Sequence, residues 1–130
     1  MGLILDTCFV IELERRIKRN DPQFLDDFAA RFPDESLFVN FAVVGELACG
    51  NFADGLSGWR RLCSPFPVLP WSPEISWEYG CLYRDLAADG NLIGTNDLWI
   101  AATARVHGYG VVTHNEREFG RVPDLKVVPF

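Results

Sequence analysis

The apolar positions of the chain fall into short continuous runs that alternate with helical stripes. Gly2 to Leu5 is a run of this kind, closed abruptly by Asp6, which is the pattern of a buried strand. Thr7 then predicts a helix cap, with Phe9, Val10, Leu13 and Ile17 forming one stripe as far as about Arg19. Asn20-Asp21-Pro22 opens a second helix carrying Phe24, Leu25, Phe28 and Phe32. Pro33-Asp34-Glu35 turns the chain into a second strand, Ser36 to Asn40. A helix is expected from about Ala42, with Gly50 and Gly58 as breaks. Pro65, Pro67, Pro70 and Pro73 then punctuate a short extended piece at Val68-Leu69. Helical periodicity returns from Pro73 to Ala88 and from Asn96 to His107. Gly108-Tyr109-Gly110 turns into a strand at Val111 to Thr113, and Lys126 to Val128 reads as a last one.

Short strands alternating with helices predict an α/β fold, with a central, mostly parallel sheet covered by helices on both faces. At 130 residues the chain is expected to be one domain, 1–130. No apolar run approaches the ~20 residues of a membrane span. The opening Met1-Gly2-Leu3-Ile4-Leu5-Asp6 lacks the basic start of a signal peptide. Cys8, Cys49, Cys63 and Cys81 are irregularly spaced and read as reduced, small hydrophobes of a cytoplasmic protein. The formal net charge of −6 argues against a broad basic footprint on nucleic acid. It does not argue against a nuclease, whose metal-holding carboxylates are themselves acidic.

In parallel sheets chemistry gathers beyond the C-terminal strand ends, so the residues there carry the functional reading. Asp6 closes the first strand. Glu46 sits among Ala42, Val43, Cys49 and Gly50, an apolar helical setting that makes an unpaired carboxylate costly. Asp97 follows Thr95-Asn96 at a helix start, where it also suits the helix dipole. Thr113-His114-Asn115-Glu116 ends a late strand, with Glu118 just beyond. Acids gathered at one edge without His or Cys point to a hard ion, Mg²⁺ or Mn²⁺, and to phosphodiester hydrolysis.

These segments resemble the PIN-domain ribonucleases, specifically the toxins of VapBC-type toxin–antitoxin pairs. The likeness rests on Leu3-Ile4-Leu5-Asp6-Thr7, on Val44-Gly45-Glu46-Leu47 and on Asn96-Asp97-Leu98-Trp99-Ile100-Ala101-Ala102-Thr103-Ala104. It continues in Val112-Thr113-His114-Asn115-Glu116-Arg117-Glu118-Phe119 and Val122-Pro123. It implies Asp6, Glu46 and Asp97 as acidic metal-site residues and Asn115 as a fourth catalytic position that often holds Asp. A neutral amide coordinates more weakly than a carboxylate and leaves the number of metals open, one or two. Thr7, Asn96, Thr113 and Glu118 become supporting candidates. The resemblance also implies an RNA substrate, a protein antitoxin and a homodimer or hetero-oligomer.

Competing readings are weaker. A phosphatase nucleophile at Asp6 would want an acid at position 8, where Cys8 stands, and neither G-x-G-x-x-G nor G-K-[ST] is present. A Cys8–His114 thiol pair lacks a third group. The alternative of another class is a metal-binding interaction module with little turnover. Arg15, Arg16, Lys18 and Arg19 form the densest basic run, readable as RNA-phosphate positioning or as ordinary helix-end complementarity. Trp59, Trp71, Trp77 and Trp99 exceed what a small core needs, so some are expected at a dimer face or partner groove.

Overall fold

The computed structural model describes residues 1–130. Five parallel strands form one sheet in the order β3-β2-β1-β4-β5. They are β1 Gly2–Leu5, β2 Ser36–Asn40, β3 Val68–Leu69, β4 Gly110–Val112 and β5 Val127–Val128. The helices are α1 Thr7–Lys18, α2 Gln23–Arg31, α3 Phe41–Ala48, α4 Leu56–Cys63, α5 Pro73–Ala88, α6 Thr95–His107 and α7 Glu116–Phe119. The sheet is wholly rather than mostly parallel. Every residue of β1 and β4 is buried, which explains why these strands read as continuous apolar runs rather than alternating ones.

The strand order grows from β1 to β2 and β3 on one side, then crosses over to β4 and β5 on the other. Right-handed crossovers in opposite directions place the connecting helices on opposite faces. The reversal makes the gap between the ends of β1 and β4 the topological switch point, where a crevice opens. α5 packs along α6, while α3 touches both α1 and α6. The core includes Leu3, Ile4, Leu5, Phe9, Val43, Leu98, Ile100, Val111 and Phe119. No helix is long and apolar enough to cross a membrane.

Several local features differ from the sequence pattern. Asp6, not Thr7, caps α1. Asn40 caps α3, which starts at Phe41 rather than Ala42, because the Asn40 side chain accepts the Val43 amide at 3.0 Å. Gly58 lies inside α4 instead of breaking a helix. α6 starts at Thr95 without a side-chain cap, and ends at Gly108, whose φ of 71° lets the chain turn back into β4. α7 has no counterpart among the predicted elements. Ile17 is 56% exposed and so leaves the predicted core stripe. All four cysteines are free thiols; Cys8, Cys63 and Cys81 are half-buried, Cys63 packs against the core, and only Cys49 is exposed.

Candidate active site

β1 and β4 pair with Leu5 beside Val112, and the ladder continues through the Asp6 amide, which donates to Val112 O at 2.9 Å. This register sets Asp6 next to Thr113 at the switch point. Both are buried, Asp6 at 7% exposure and Thr113 at 0%. The Asp6 carboxylate is held on both oxygens. The Thr7 amide donates to Oδ1 at 2.7 Å and the Thr113 hydroxyl to Oδ2 at 2.7 Å. The Cys8 thiol makes a longer contact to Oδ2, at 3.5 Å. Burial first, against a smaller opposing effect of the His114 amide, raises the Cys8 pKa and keeps it a thiol.

Asp97 projects from the first turn of α6 and meets α7. Asn115 Nδ2 donates to Asp97 Oδ2 at 3.3 Å and to Glu118 Oε2 at 3.1 Å, so one neutral amide joins two acids. Burial, then a hydrogen bond to Glu118, then the charges of Asp6, Glu118 and Glu46 push the Asp97 pKa up to about 7. The same hydrogen bond, followed by that from Asn115, lowers Glu118. Within this pair Asp97 is thus the carboxyl pushed up and Glu118 the one held down.

Glu46 lies on α3. Burial and then the Asp6 charge raise its pKa, with Thr7 and Asn96 opposing. Its Oε1 and the Thr7 Oγ1 are both buried without a hydrogen-bond partner. None of Asp6, Glu46, Asp97 and Glu118 enters a salt bridge. Four acids thus share one edge, sense one another's charge and have no cationic neighbour in contact. They do not converge as tightly as the sequence suggests, since no three His, Cys, Asp or Glu side chains are grouped closely enough to hold a metal ion between them. An open oxygen-only set suits Mg²⁺, which keeps several waters and needs only one or two carboxylates. The orphaned Glu46 oxygen supplies the unsatisfied acceptor such a site requires.

Of the supporting candidates, Thr113 and Glu118 touch the acids directly, Thr7 lends its amide, and Asn96 is exposed. The basic run is placed differently. α1 descends from Asp6, and Arg15 to Arg19 lie about 13–20 Å further along its axis. Arg15 and Arg16 pair with Glu12, Arg16 also with Asp21, and Lys18 with Glu14. Two contributors have roles at the site that the sequence pattern does not give. Cys8 stands out there only as a weak candidate nucleophile. Asn40, fully buried, also donates to Thr103 Oγ1 at 3.1 Å and so latches α3 to α6, the helices that carry Glu46 and Asp97. An Asn between a strand and an apolar helix signals the cap, but nothing local signals the latch.

Comparison with known proteins agrees with the fold. A family model described as PIN domain matches residues 3–125. The chain is 33% identical to Ribonuclease VapC1 of Rickettsia felis, over 98% of its own length and 96% of the relative's. It is 30% identical to Ribonuclease VapC1 of Haemophilus influenzae strain R2866, over 97% and 96%. The structure of VapBC-1 from nontypeable Haemophilus influenzae superposes with a TM-score of 0.82 at 29% identity, covering 99% of this chain and 98% of that one. DNA-bound VapBC from Salmonella typhimurium superposes at 0.81 with 25% identity, over 99% and 98%. A shared fold, a matching family model along nearly the whole chain and full-length relatives at this identity place it plainly: the chain belongs to the PIN-domain family, in its VapC branch.

Proposed function

We propose that this chain is a Mg²⁺- or Mn²⁺-dependent endoribonuclease and the toxin of a cytoplasmic toxin–antitoxin pair. The observation that carries the reading is the set of carboxylates at the β1/β4 switch point, none of them in a salt bridge, with Glu46 Oε1 buried and unpartnered. Asp6, Glu46 and Asp97 would hold the ion. When bound, a divalent ion lowers the pKa of water and offsets the charge that develops on a phosphodiester under attack.

The chain's own groups prepare this chemistry. Thr113 and the Thr7 amide fix the Asp6 carboxylate in one orientation. Asn115 holds Asp97 and Glu118 together without adding a third charge. The acids repel RNA phosphates unless a cation is present, so binding of substrate at this edge is coupled to metal. Purified protein should cleave RNA with Mg²⁺, and both excess EDTA and Asp97→Asn should abolish cleavage while the circular dichroism spectrum persists. Undiminished cleavage in EDTA would refute the mechanism.

A groove of about 820 Å³ runs from Glu46 past Ile11, Ile17, Phe52 and Leu62. Its apolar walls fit an antitoxin segment, and its acidic end fits an Arg from that segment, which would bind carboxylates in place of metal. The similar structures solved as VapBC support this partner. Expression of the chain alone should slow growth, and harmless expression with Asp97 intact would favour the interaction-module reading. Trp71 and Trp77, 54% and 69% exposed, are offered as the homodimer face. A dimer by sedimentation that becomes monomeric in Trp77→Arg would support this, and an unaltered dimer would refute it.

A further inference from the structure

We propose that Cys8 is a positioning residue for Asp6, holding one carboxylate oxygen back so that the other is presented to the metal. This rests on the reading of Asp6 as a metal ligand. Cys8 stands in the first turn of α1, yet its Sγ reaches three groups outside its own helix. It donates to Asp6 Oδ2 at 3.5 Å, accepts from the His114 amide at 3.4 Å and lies 3.8 Å from Thr113 Oγ1. Thr113 donates to the same Oδ2 at 2.7 Å and itself accepts the Asn115 amide at 2.9 Å.

An ionised carboxylate offers about four lone-pair sites. Both of those on Oδ2 are taken, by Thr113 and Cys8, and one on Oδ1 is taken by the Thr7 amide. The remaining lone pair is on Oδ1. Cys8 thereby decides which oxygen is available, and it ties the end of β1 to the segment after β4 that carries Asn115. A thiol suits the position because it can donate to Asp6 while accepting from a backbone amide, and sulfur reaches both at these distances. Alanine can do neither. Serine can do both over a slightly shorter reach.

The experiment follows the Mg²⁺ dependence of the melting temperature, without substrate, for wild type, Cys8→Ala and Cys8→Ser. Partners that orient a metal ligand typically change affinity by about 10–100-fold. Cys8→Ala should shift the Mg²⁺ midpoint upward by about tenfold, and Cys8→Ser should recover it to within about threefold, at the low end of that range. In cleavage assays kcat/KM should fall in Cys8→Ala at subsaturating Mg²⁺ and return towards the wild-type value as Mg²⁺ is raised to saturation. Should Cys8→Ala fold poorly in EDTA, Cys8→Val, which fills the space without a donor, gives the same comparison. A wild type that responds to Mg²⁺ while Cys8→Ala matches it overturns the role of Cys8 alone. Equal losses in the Ala and Ser variants also overturn it, since loss of packing then explains both. A wild type with no Mg²⁺ response overturns the metal reading and this proposal with it.

Discussion

Asp97→Asn should stabilise the metal-free protein at pH 8 and leave its stability at pH 4 almost unchanged. Asp97 rises from an ordinary 3.8 to about 7 in the fold. That rise corresponds to about 4 kcal/mol favouring the protonated form. Asp97 is only half-buried, and solvent screening leaves roughly half, about 2 kcal/mol. Because the folded pKa lies above the unfolded one, this contribution is fully present below about pH 4. It is lost as pH rises through about 7, where the ionised carboxylate faces Asp6, Glu46 and Glu118. Asn removes that loss and retains an amide that can donate to Glu118. It also removes an acid from the first turn of α6, which costs about 0.5–1 kcal/mol.

The net gain at pH 8 is about 1 kcal/mol, or about 4 °C for the unfolding entropy of a chain this long. At pH 4 the Asp97 carboxyl is protonated in the fold and offers the helix dipole no charge, so the variant should melt within about 2 °C of wild type. Magnesium adds an independent reading. At 100 times its dissociation constant it stabilises wild type by about 2.7 kcal/mol, or about 10 °C, and most of this should vanish in Asp97→Asn. Scanning calorimetry at both pH values, with Mg²⁺ or EDTA, measures all of these. A variant that melts lower at pH 4 and pH 8 alike, and keeps the full Mg²⁺ rise, would make Asp97 a helix-start residue only.

Glu46→Gln should raise the metal-free melting temperature at pH 8, because burial and Asp6 disfavour its charge, and should lower RNA cleavage by more than the ~10–100-fold typical of outer partners. Thr113→Val, nearly isosteric, removes the 2.7 Å donor to Asp6 and should weaken Mg²⁺ binding by about tenfold or more in the same thermal titration. Asn40→Ala should cost about 2 kcal/mol in urea unfolding, through the lost cap and the lost bond to Thr103. The double change Arg15→Gln, Lys18→Gln should leave the salt dependence of RNA binding unaltered, since both cations are engaged within α1. A slope lowered by about 1–2 would restore them as phosphate contacts.

Local chemistry makes much of the site legible in the sequence. Asp6 stands where a buried run stops, and Glu46 is a carboxylate in apolar helical surroundings. Asp97 opens a helix, so each can be singled out from its immediate neighbours. Ile17 misleads because helical spacing marks a face without saying whether anything covers it. α7 is invisible to periodicity because four residues cannot show a period. The long-range side-chain bonds are out of reach for a stronger reason. Thr113 is 107 residues from Asp6, and Thr103 is 63 from Asn40.

What joins Asp6 to Thr113 is register. Leu5 lies beside Val112, so the next residues on each strand, Asp6 and Thr113, emerge together at the switch point. A slip of one residue would turn every side chain of β1 to the opposite face. It would bury Asp6 away from Thr113 and set Leu5 in its place. The fully buried Leu3, Ile4, Leu5, Val111 and Val112 resist that slip, because each would exchange its packed neighbours for others of different shape. The apolar strands therefore do more than fill a core. By excluding every register but one, they turn two ordinary strand-end residues into a held carboxylate, and the acids of α3 and α6 acquire a fixed neighbour.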